Sequence, residues 1–326
     1  MTENIISCAK ALSEALHEEM ARDERVFLIG EDITAHGGNF GQFGGLYERF
    51  GERVIDTPIS ETAIAGAGVG AALTGMRPVV DLYFADFLPV AMDEIVNQTA
   101  KMRYMFGGQV NLPLVIWVND GGGVGAGAHH SQCLESWFVH TPGLKVVVPS
   151  EPADVKGLMK AAIRDEDPVM FFQHKLLFAQ KGPVPEGEYV VPLGKGEIKR
   201  HGKDITILTY SRMTYVALDA AKRLAEEGID SEIVDLRTLK PLDFDLIAES
   251  VKKTKHVLVA HEACLTGGFG AEVAARIGEE VFDYLDAPVT RIGAKDTPIP
   301  VSPILENFVL PQVDDIVSGA RRVLNL

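Results

Sequence analysis

The sequence predicts an α/β protein made of two doubly wound parallel-sheet domains. Strand-length apolar runs and helix-length amphipathic runs alternate along nearly the whole chain, the pattern of a parallel sheet covered on both faces. The alternation lapses once, over residues 179–204, where Lys181, Gly182, Pro183, Val184, Pro185, Glu186 and Gly187 follow one another. It then resumes as a shorter series. A lapse of that composition marks a domain boundary, placed here between residues 185 and 186, so that the domains are 1–185 and 186–326.

In the first domain, Ile5, Ala9, Leu12, Leu16 and Met20 recur at helical spacing over residues 4–22, and residues 25–30 read as a short buried strand. Residues 36–45, opening on His36, hold Gly37, Gly38, Gly41, Gly44 and Gly45 and read as a mobile loop. Residues 56–61 read as a strand end and a tight entry into a helix. Thr57 suits a cap and Pro58 a first helical position, which leaves Glu61 in the opening turns beside backbone N–H groups without helical partners.

The helix that follows, to Ala72, is built almost wholly of small residues. Its glycines Gly66, Gly68 and Gly70 each cost roughly 0.5–1 kcal/mol relative to alanine. Such a cost implies that a backbone, a symmetry mate or a planar ligand lies against the helix with no room for side chains. Next come a strand at Arg77–Phe84, a long amphipathic helix at 87–106 and a strand at 112–118. That strand ends in a loop that runs from Asn119 through Gly121, Gly122, Gly123, Gly125 and Gly127 to His129 and His130. A strand at 145–148, a helix at 154–164 with Glu151 and Pro152 at its start, and a strand at 169–173 complete the domain. In the second domain strands at Ile205–Thr209, Ser231–Asp235, 256–260 and 289–292 alternate with helices at 215–227, 244–252 and 270–282.

With 326 residues, 46% of them hydrophobic and 24% charged, the chain can bury a real core. The formal net charge of −15 provides no basic footprint for nucleic acid. No apolar run reaches membrane-spanning length, and the first 25 residues have the pattern of an amphipathic helix rather than a signal, so the expected setting is cytoplasmic with no membrane partner. Cys8, Cys133 and Cys264 are far apart and form no CxxC, which suggests neither a disulfide framework nor a zinc site.

Open α/β sheets bind ligands at the carboxyl ends of their strands, which directs attention to residues 56–61, 83–87, 119–132 and 261–270. Glu61 fits two descriptions, a carboxylate that caps or opposes a helix dipole and a functional acid. Tyr83 and Phe87 fit core packing or the wall of a ring-binding pocket. His129 and His130 fit a solvated turn or a general acid–base, since imidazole accepts and donates protons near pH 7. The sequence from Gly66 to Ala71 matches G-x-G-x-x-A, but its glycines lie inside the helix and not in the strand-to-helix turn that would hold a pyrophosphate. Neither a G-x-S-x-G nor a Walker loop is present.

Taken together, several motifs resemble one family. They are Asp56-Thr57-Pro58-Ile59-Ser60-Glu61, Phe84-Ala85-Asp86-Phe87, His130-Ser131-Gln132, the stretch from Pro142 through Gly143-Leu144-Lys145 to Pro149, Lys156-Gly157-Leu158 and Ala162-Ile163-Arg164-Asp165. The resemblance is to the beta subunit of the thiamin-diphosphate-dependent first component of 2-oxo acid dehydrogenase complexes, and it is collinear over nearly the whole chain. Arg103-Tyr104-Met105-Phe106-Gly107-Gly108 and His174-Lys175-Leu176-Leu177 look most like acetoin-dehydrogenase versions. Residues 184–189 look equally like pyruvate-dehydrogenase versions.

The resemblance implies a pyrimidine-binding thiamin-diphosphate domain followed by a transketolase C-terminal-like domain, in an α2β2 heterotetramer with cofactor sites at α/β interfaces. It implies that an alpha subunit supplies the diphosphate and Mg2+ site. Consistent with that, no Gly-Asp-Gly followed some thirty residues later by Asn-Asn occurs here. By position, Glu61 would hydrogen-bond N1′ of the cofactor's pyrimidine, Tyr83 and Phe87 would line the aminopyrimidine pocket, and His130 would assist proton transfer and acyl acceptance by the lipoyl group of an acyltransferase component. Leu114, Ala162, Ile163, Asp165 and Asp167 match positions that hold a structural K+, although the family more often has Asn at the last. Two other readings remain open in the sequence: half of a split transketolase or deoxyxylulose-phosphate synthase, and a non-catalytic assembly subunit.

Overall fold

The alternating pattern folds into two units in the computed structural model, which describes residues 4–34, 37–38 and 40–326. The first holds the chain through Asp120 together with Trp137–Leu193, and the second holds Gly121–Ser136 together with Gly194–Leu326. His36 lies outside the described residues.

In the first unit the strands lie in the order Lys145–Val147, Val169–His174, Val115–Asp120, Arg77–Phe84, Val26–Gly30 and Val54–Asp56, every neighbouring pair parallel. The central strands are buried along almost their whole length, as a sheet covered on both faces requires. Val79, Val80, Ile116, Val118 and Phe171 are all at or below 1% exposure. A short antiparallel pair joins Asn4–Ser7 to Lys181–Val184.

Three local expectations are corrected. Residues 4–22 are a strand, Asn4–Ser7, followed by a helix, Cys8–Arg22, whose cap is Ser7 accepting from the Lys10 N–H at 3.2 Å. The long helix expected at 87–106 is broken: Pro89 sits in a tight turn at Ala85–Ala91, a wider-wound segment covers Glu94–Thr99, and regular helix occupies only Ala100–Met105. Finally, the small-residue helix runs Glu61–Leu73, so Pro58 precedes it and Thr57 does not cap it. Both the N–H and the hydroxyl of Thr57 donate instead to the Gly30 carbonyl, at 2.9 and 3.2 Å, extending the sheet by one residue.

In the second unit the order is Thr290–Ala294, Val257–Cys264, Ile205–Thr209, Ser231–Asp235 and Glu197–Arg200, parallel except for the last, antiparallel strand. Ile205, Ile207, Ile233 and Leu258 pack with Ala217 and Ala221 of the helix Met213–Glu226 and with Ile316 and Ala320 of the terminal helix Val313–Val323.

Candidate active site

Glu61 is the first residue of its helix and is half-buried. The helix packs so closely on the sheet that a Cβ at Gly68 would lie 2.5 Å from Val80 Cγ2, whereas a Cβ at Gly70 would meet open space. The first glycine is therefore required by this chain's own packing; the second is not. Beside Glu61 stand further acids at the carboxyl ends of neighbouring strands. Glu31 follows Val26–Gly30 and is 9% exposed, with Oε2 buried and without a hydrogen-bond partner among the described residues. Burial pushes its carboxyl up, and the charges of Glu61 and Asp32 add to the shift. Asp81 in Arg77–Phe84 is pushed up to about 8 by burial, opposed by the Tyr83 N–H and reinforced by Glu31. Gly30 permits this crowding, because a Cβ there would stand 2.8 Å from Asp81 Cβ.

Tyr83 adopts the left-handed backbone conformation, φ 66°, which is costly for a side chain of its size. Two side chains hold it: Asp81 Oδ1 accepts its N–H at 2.8 Å, and Asn119 Nδ2 donates to its carbonyl at 2.7 Å. The ladder with Val115–Asp120 shifts register between Asp81 and Phe84, so the strand end is re-aimed at this point. Phe84 links the two expected aromatics, with ring centroids 4.9 Å from Tyr83 and 6.0 Å from Phe87, both edge to face. Glu61, Tyr83 and Phe87 thus all belong to the first unit, on elements that leave adjacent strand ends. The arrangement offers a carboxyl on a rigid helix start, buried acids that can retain protons, and half-buried aromatic rings.

His130 belongs to the second unit, in the segment Gly121–Ser136, and is half-buried; His129 is exposed. Its N–H donates to the Gly127 carbonyl at 3.3 Å. The segment is tied down by side chains distant in sequence. The Gly122 N–H donates to Glu262 at 2.7 Å, the Gly123 and Gly125 N–H groups donate to the two oxygens of Glu306 at 2.8 and 3.0 Å, and the Tyr210 hydroxyl donates to Glu135 at 2.6 Å.

The positions matched to a structural ion also lie together in the first unit, around Arg77 and Lys145. Arg77 donates to the carbonyls of Ile163 at 3.0 Å and Asp165 at 3.2 Å and pairs with Glu166. Lys145 bonds both carboxylate oxygens of Asp165 at 2.7 Å, and Asp167 pairs with Arg103 and with Lys145. The Leu114 carbonyl accepts from Val169 N–H and that of Ala162 from Asp165 N–H. Arg77, Lys145 and Arg103 therefore already engage the carboxylates of Asp165, Glu166 and Asp167, and Arg77 faces Asp23 as well. The carbonyls keep second lone pairs.

Glu31, Asp81 and Glu306 were not singled out by sequence reasoning, whereas Phe84 stood in a motif of the resemblance and Glu262 in the strand-end loop 261–270. Glu31 had a signal, an acid directly after a buried strand ending in glycine. Asp81, inside an apolar strand, had a fainter one. Glu306 gave none, since its partners are backbone groups far away in the chain, and the loop that holds Glu262 gave no sign of which residue in it matters.

Comparison with known proteins identifies the two domains. Residues 5–180 match the family model for the pyrimidine binding domain of transketolase, and residues 194–316 match that for the transketolase C-terminal domain. The chain is 46% identical to the beta subunit of acetoin:2,6-dichlorophenolindophenol oxidoreductase of Cupriavidus necator, covering 98% of this chain and 97% of that one. It is also 46% identical to the 2-oxoisovalerate dehydrogenase beta subunit of Bacillus subtilis, over 98% and 99% of the two chains. It is 45% identical to pyruvate dehydrogenase E1 component subunit beta-2, mitochondrial, of Oryza sativa subsp. japonica, over 96% and 85%. Among solved structures, a split gene transketolase described as an inactive beta4 tetramer matches with TM-score 0.80 and 28% identity, over 98% of this chain and 99% of that one.

Fold and sequence thus define a protein with the transketolase-type pyrimidine-binding and C-terminal domains. Within that class, the chain belongs to the family of beta subunits of the thiamin-diphosphate-dependent first component of 2-oxo acid and acetoin dehydrogenases, which are oxidoreductases.

Proposed function

We propose that this chain is the half of a 2-oxo acid or acetoin dehydrogenase component that grips the pyrimidine ring of thiamin diphosphate, with Glu61 as the gripping acid and His130 as the acid–base for acyl transfer. The observation that carries the reading is Glu61 on the first residue of a rigid helix, close enough to the buried Glu31 for its charge to raise that carboxyl. The residues suit an aminopyrimidine. Its ring nitrogens and amine need a carboxyl that can share a proton, and its faces need flat apolar neighbours, which Tyr83 and Phe87 supply. Bound thiamin diphosphate supplies an electron sink for cleavage next to the substrate carbonyl.

Everything else is the work of side chains. Glu61 would hold a proton at N1′, Tyr83 and Phe87 would flank the ring, and the buried acids Glu31 and Asp81 would keep neighbouring charge low. The two-carbon or longer aldehyde-level fragment would be oxidised by two electrons to an acyl group as the lipoyl disulfide is reduced. One sulfur takes the acyl group, and the other takes a proton, delivered by His130. The partners in this reading are an alpha subunit in an α2β2 assembly, which brings the diphosphate and Mg2+ ligands that this sequence lacks, and a lipoyl-bearing acyltransferase component. A potassium ion, if bound, would use the remaining lone pairs at Leu114, Ala162 and Ile163 in a structural capacity. A cytoplasmic setting is in keeping with three cysteines that are thiols and with the absence, among the described residues, of any helix long and apolar enough to cross a membrane.

Glu61→Gln, assembled with wild-type alpha subunit, tests the reading. The variant should form the complex and lose turnover by about two orders of magnitude, the scale of a lost acid–base contact. Turnover near that of wild type would remove Glu61 from the role.

A further inference from the structure

We propose that Glu306, aided by Glu262, is the positioning residue that sets the loop bearing His130; the proposal rests on the reading of His130 given above. Gly121, Gly123, Gly125 and Gly127 all have positive φ, at 79°, 90°, 69° and 76°. Backbone that alternates in this way turns successive N–H groups toward a common side and forms a concave site for an anion. The anion here is built into the protein. Glu306 spans two turns of the loop, with Oε1 on Gly123 N–H and Oε2 on Gly125 N–H, and Glu262 takes the N–H of Gly122, the residue just before them.

Both acids are themselves fixed. Glu306 is 2% exposed on the helix Pro303–Val309, and its own N–H is held by the Ser302 carbonyl at 2.8 Å. Glu262 is 6% exposed, and its second oxygen accepts from Arg212 at 2.8 Å. Steric contacts close the loop from the same direction. A Cβ at Gly122 would come within 2.9 Å of Leu310 Cδ1, and one at Gly127 within 2.8 Å of Val301 Cγ2. Because the His130 N–H is anchored on the Gly127 carbonyl, the histidine starts from a backbone that the carboxylates have fixed. A free glycine loop would sample many conformations and place the imidazole correctly only part of the time.

The test uses the full chain assembled with its alpha subunit. Peptide-resolved amide exchange over 121–132 should speed up by about tenfold or more in Glu306→Ala and by less in Glu306→Gln, which keeps one acceptor. The ratio of lipoyl-domain acylation to 2,6-dichlorophenolindophenol reduction should fall about tenfold in Glu306→Ala, in the same direction as in His130→Ala. The double variant should be no worse than His130→Ala alone, because the two residues act through one group. Unchanged exchange in 121–132, an unchanged ratio in Glu306→Ala beside a reduced one in His130→Ala, or additive losses in the double variant would overturn the proposal. A ratio unaffected by His130→Ala would instead sink the reading of His130, and the exchange measurement would still decide whether Glu306 sets the loop. If Glu306→Ala fails to assemble, Glu306→Gln gives the same comparisons at smaller amplitude.

Discussion

Asp81 shows how one side chain can serve two ends. Its Oδ1 holds Tyr83 in a left-handed conformation, while burial raises its carboxyl to about 8, so it is mostly protonated at neutral pH. A folded-state pKa above the unfolded value means that the native state binds the extra proton. Stability from this group is therefore full below the ordinary carboxyl range and is lost as pH rises toward and through 8. Asp81→Asn keeps an oxygen to accept the Tyr83 N–H and removes the titration. The variant should gain on the wild type as pH increases from 5 to 9, by up to about 1 kcal/mol per pH unit. Parallel melting curves at pH 5, 7 and 9 check this, and a constant difference across them would mean that Asp81 is charged in the native protein. Asp81→Leu should cost stability at every pH, because it leaves the Tyr83 N–H without its acceptor.

Between elements, the first helix Cys8–Arg22 meets Pro152–Arg164 through charge as well as apolar contact. Lys156 pairs with Glu14 at 3.0 Å and Glu18 at 2.7 Å, and Lys160 with Glu18 and Glu188, each at 2.7 Å; Arg164 pairs with Glu19 and Glu188. Lys160 is fully buried, whereas Glu18 and Glu188 keep 40% and 62% side-chain exposure. Lys160→Ala should cost about 2–3 kcal/mol, toward the low side for a buried charge because its partners can fall back on water. Lys160→Met should cost less by filling the space, and the urea midpoints of the two variants give the comparison.

This same level shows what the sequence makes legible. Ile205–Thr209 and Ser231–Asp235 were read to the residue, because each is a short stretch built around β-branched residues that follows directly on an aspartate, Asp204 or Asp230. The helix start at Glu61 was misplaced because Thr57 bonds to Gly30, twenty-seven positions earlier in the chain, and no local pattern reports such a bond. The break at 85–99 was hidden by an apolar period that continues across Pro89. The short helix Pro303–Val309 carries Glu306, whose bonds to Gly123 and Gly125 span more than half of the chain. For the candidate site, strand-end loops could be located from alternation alone. The acids that surround or support them were not, since their significance comes from burial and from partners that only the fold brings near.

For the whole molecule, the decisive property is what the sequence carries and what it omits. It has a carboxyl on a helix start, aromatic neighbours and a histidine loop, but no Gly-Asp-Gly followed by Asn-Asn to hold a diphosphate and its metal. Its own surface carries large apolar side chains in water, among them Tyr104 and Met105 at 88% and 71% exposure in the first unit and Ile304 and Phe308 at 81% and 67% in the second. Clusters of that kind usually mark surfaces covered by another polypeptide. A ring-binding half without a diphosphate-binding half loses most of the contacts that make the cofactor bind tightly, and the negative charge of −15 further disfavours an anionic tail. The purified chain should therefore show no thiamin-diphosphate-dependent dye reduction and only weak cofactor binding by calorimetry, and both should appear when the alpha subunit is added. The protein should also become more heat-stable on mixing, because a partner that binds only the folded state shifts the equilibrium by mass action. Full turnover by this chain alone would require a diphosphate site within these 326 residues and would overturn the proposed division of labour with an alpha subunit.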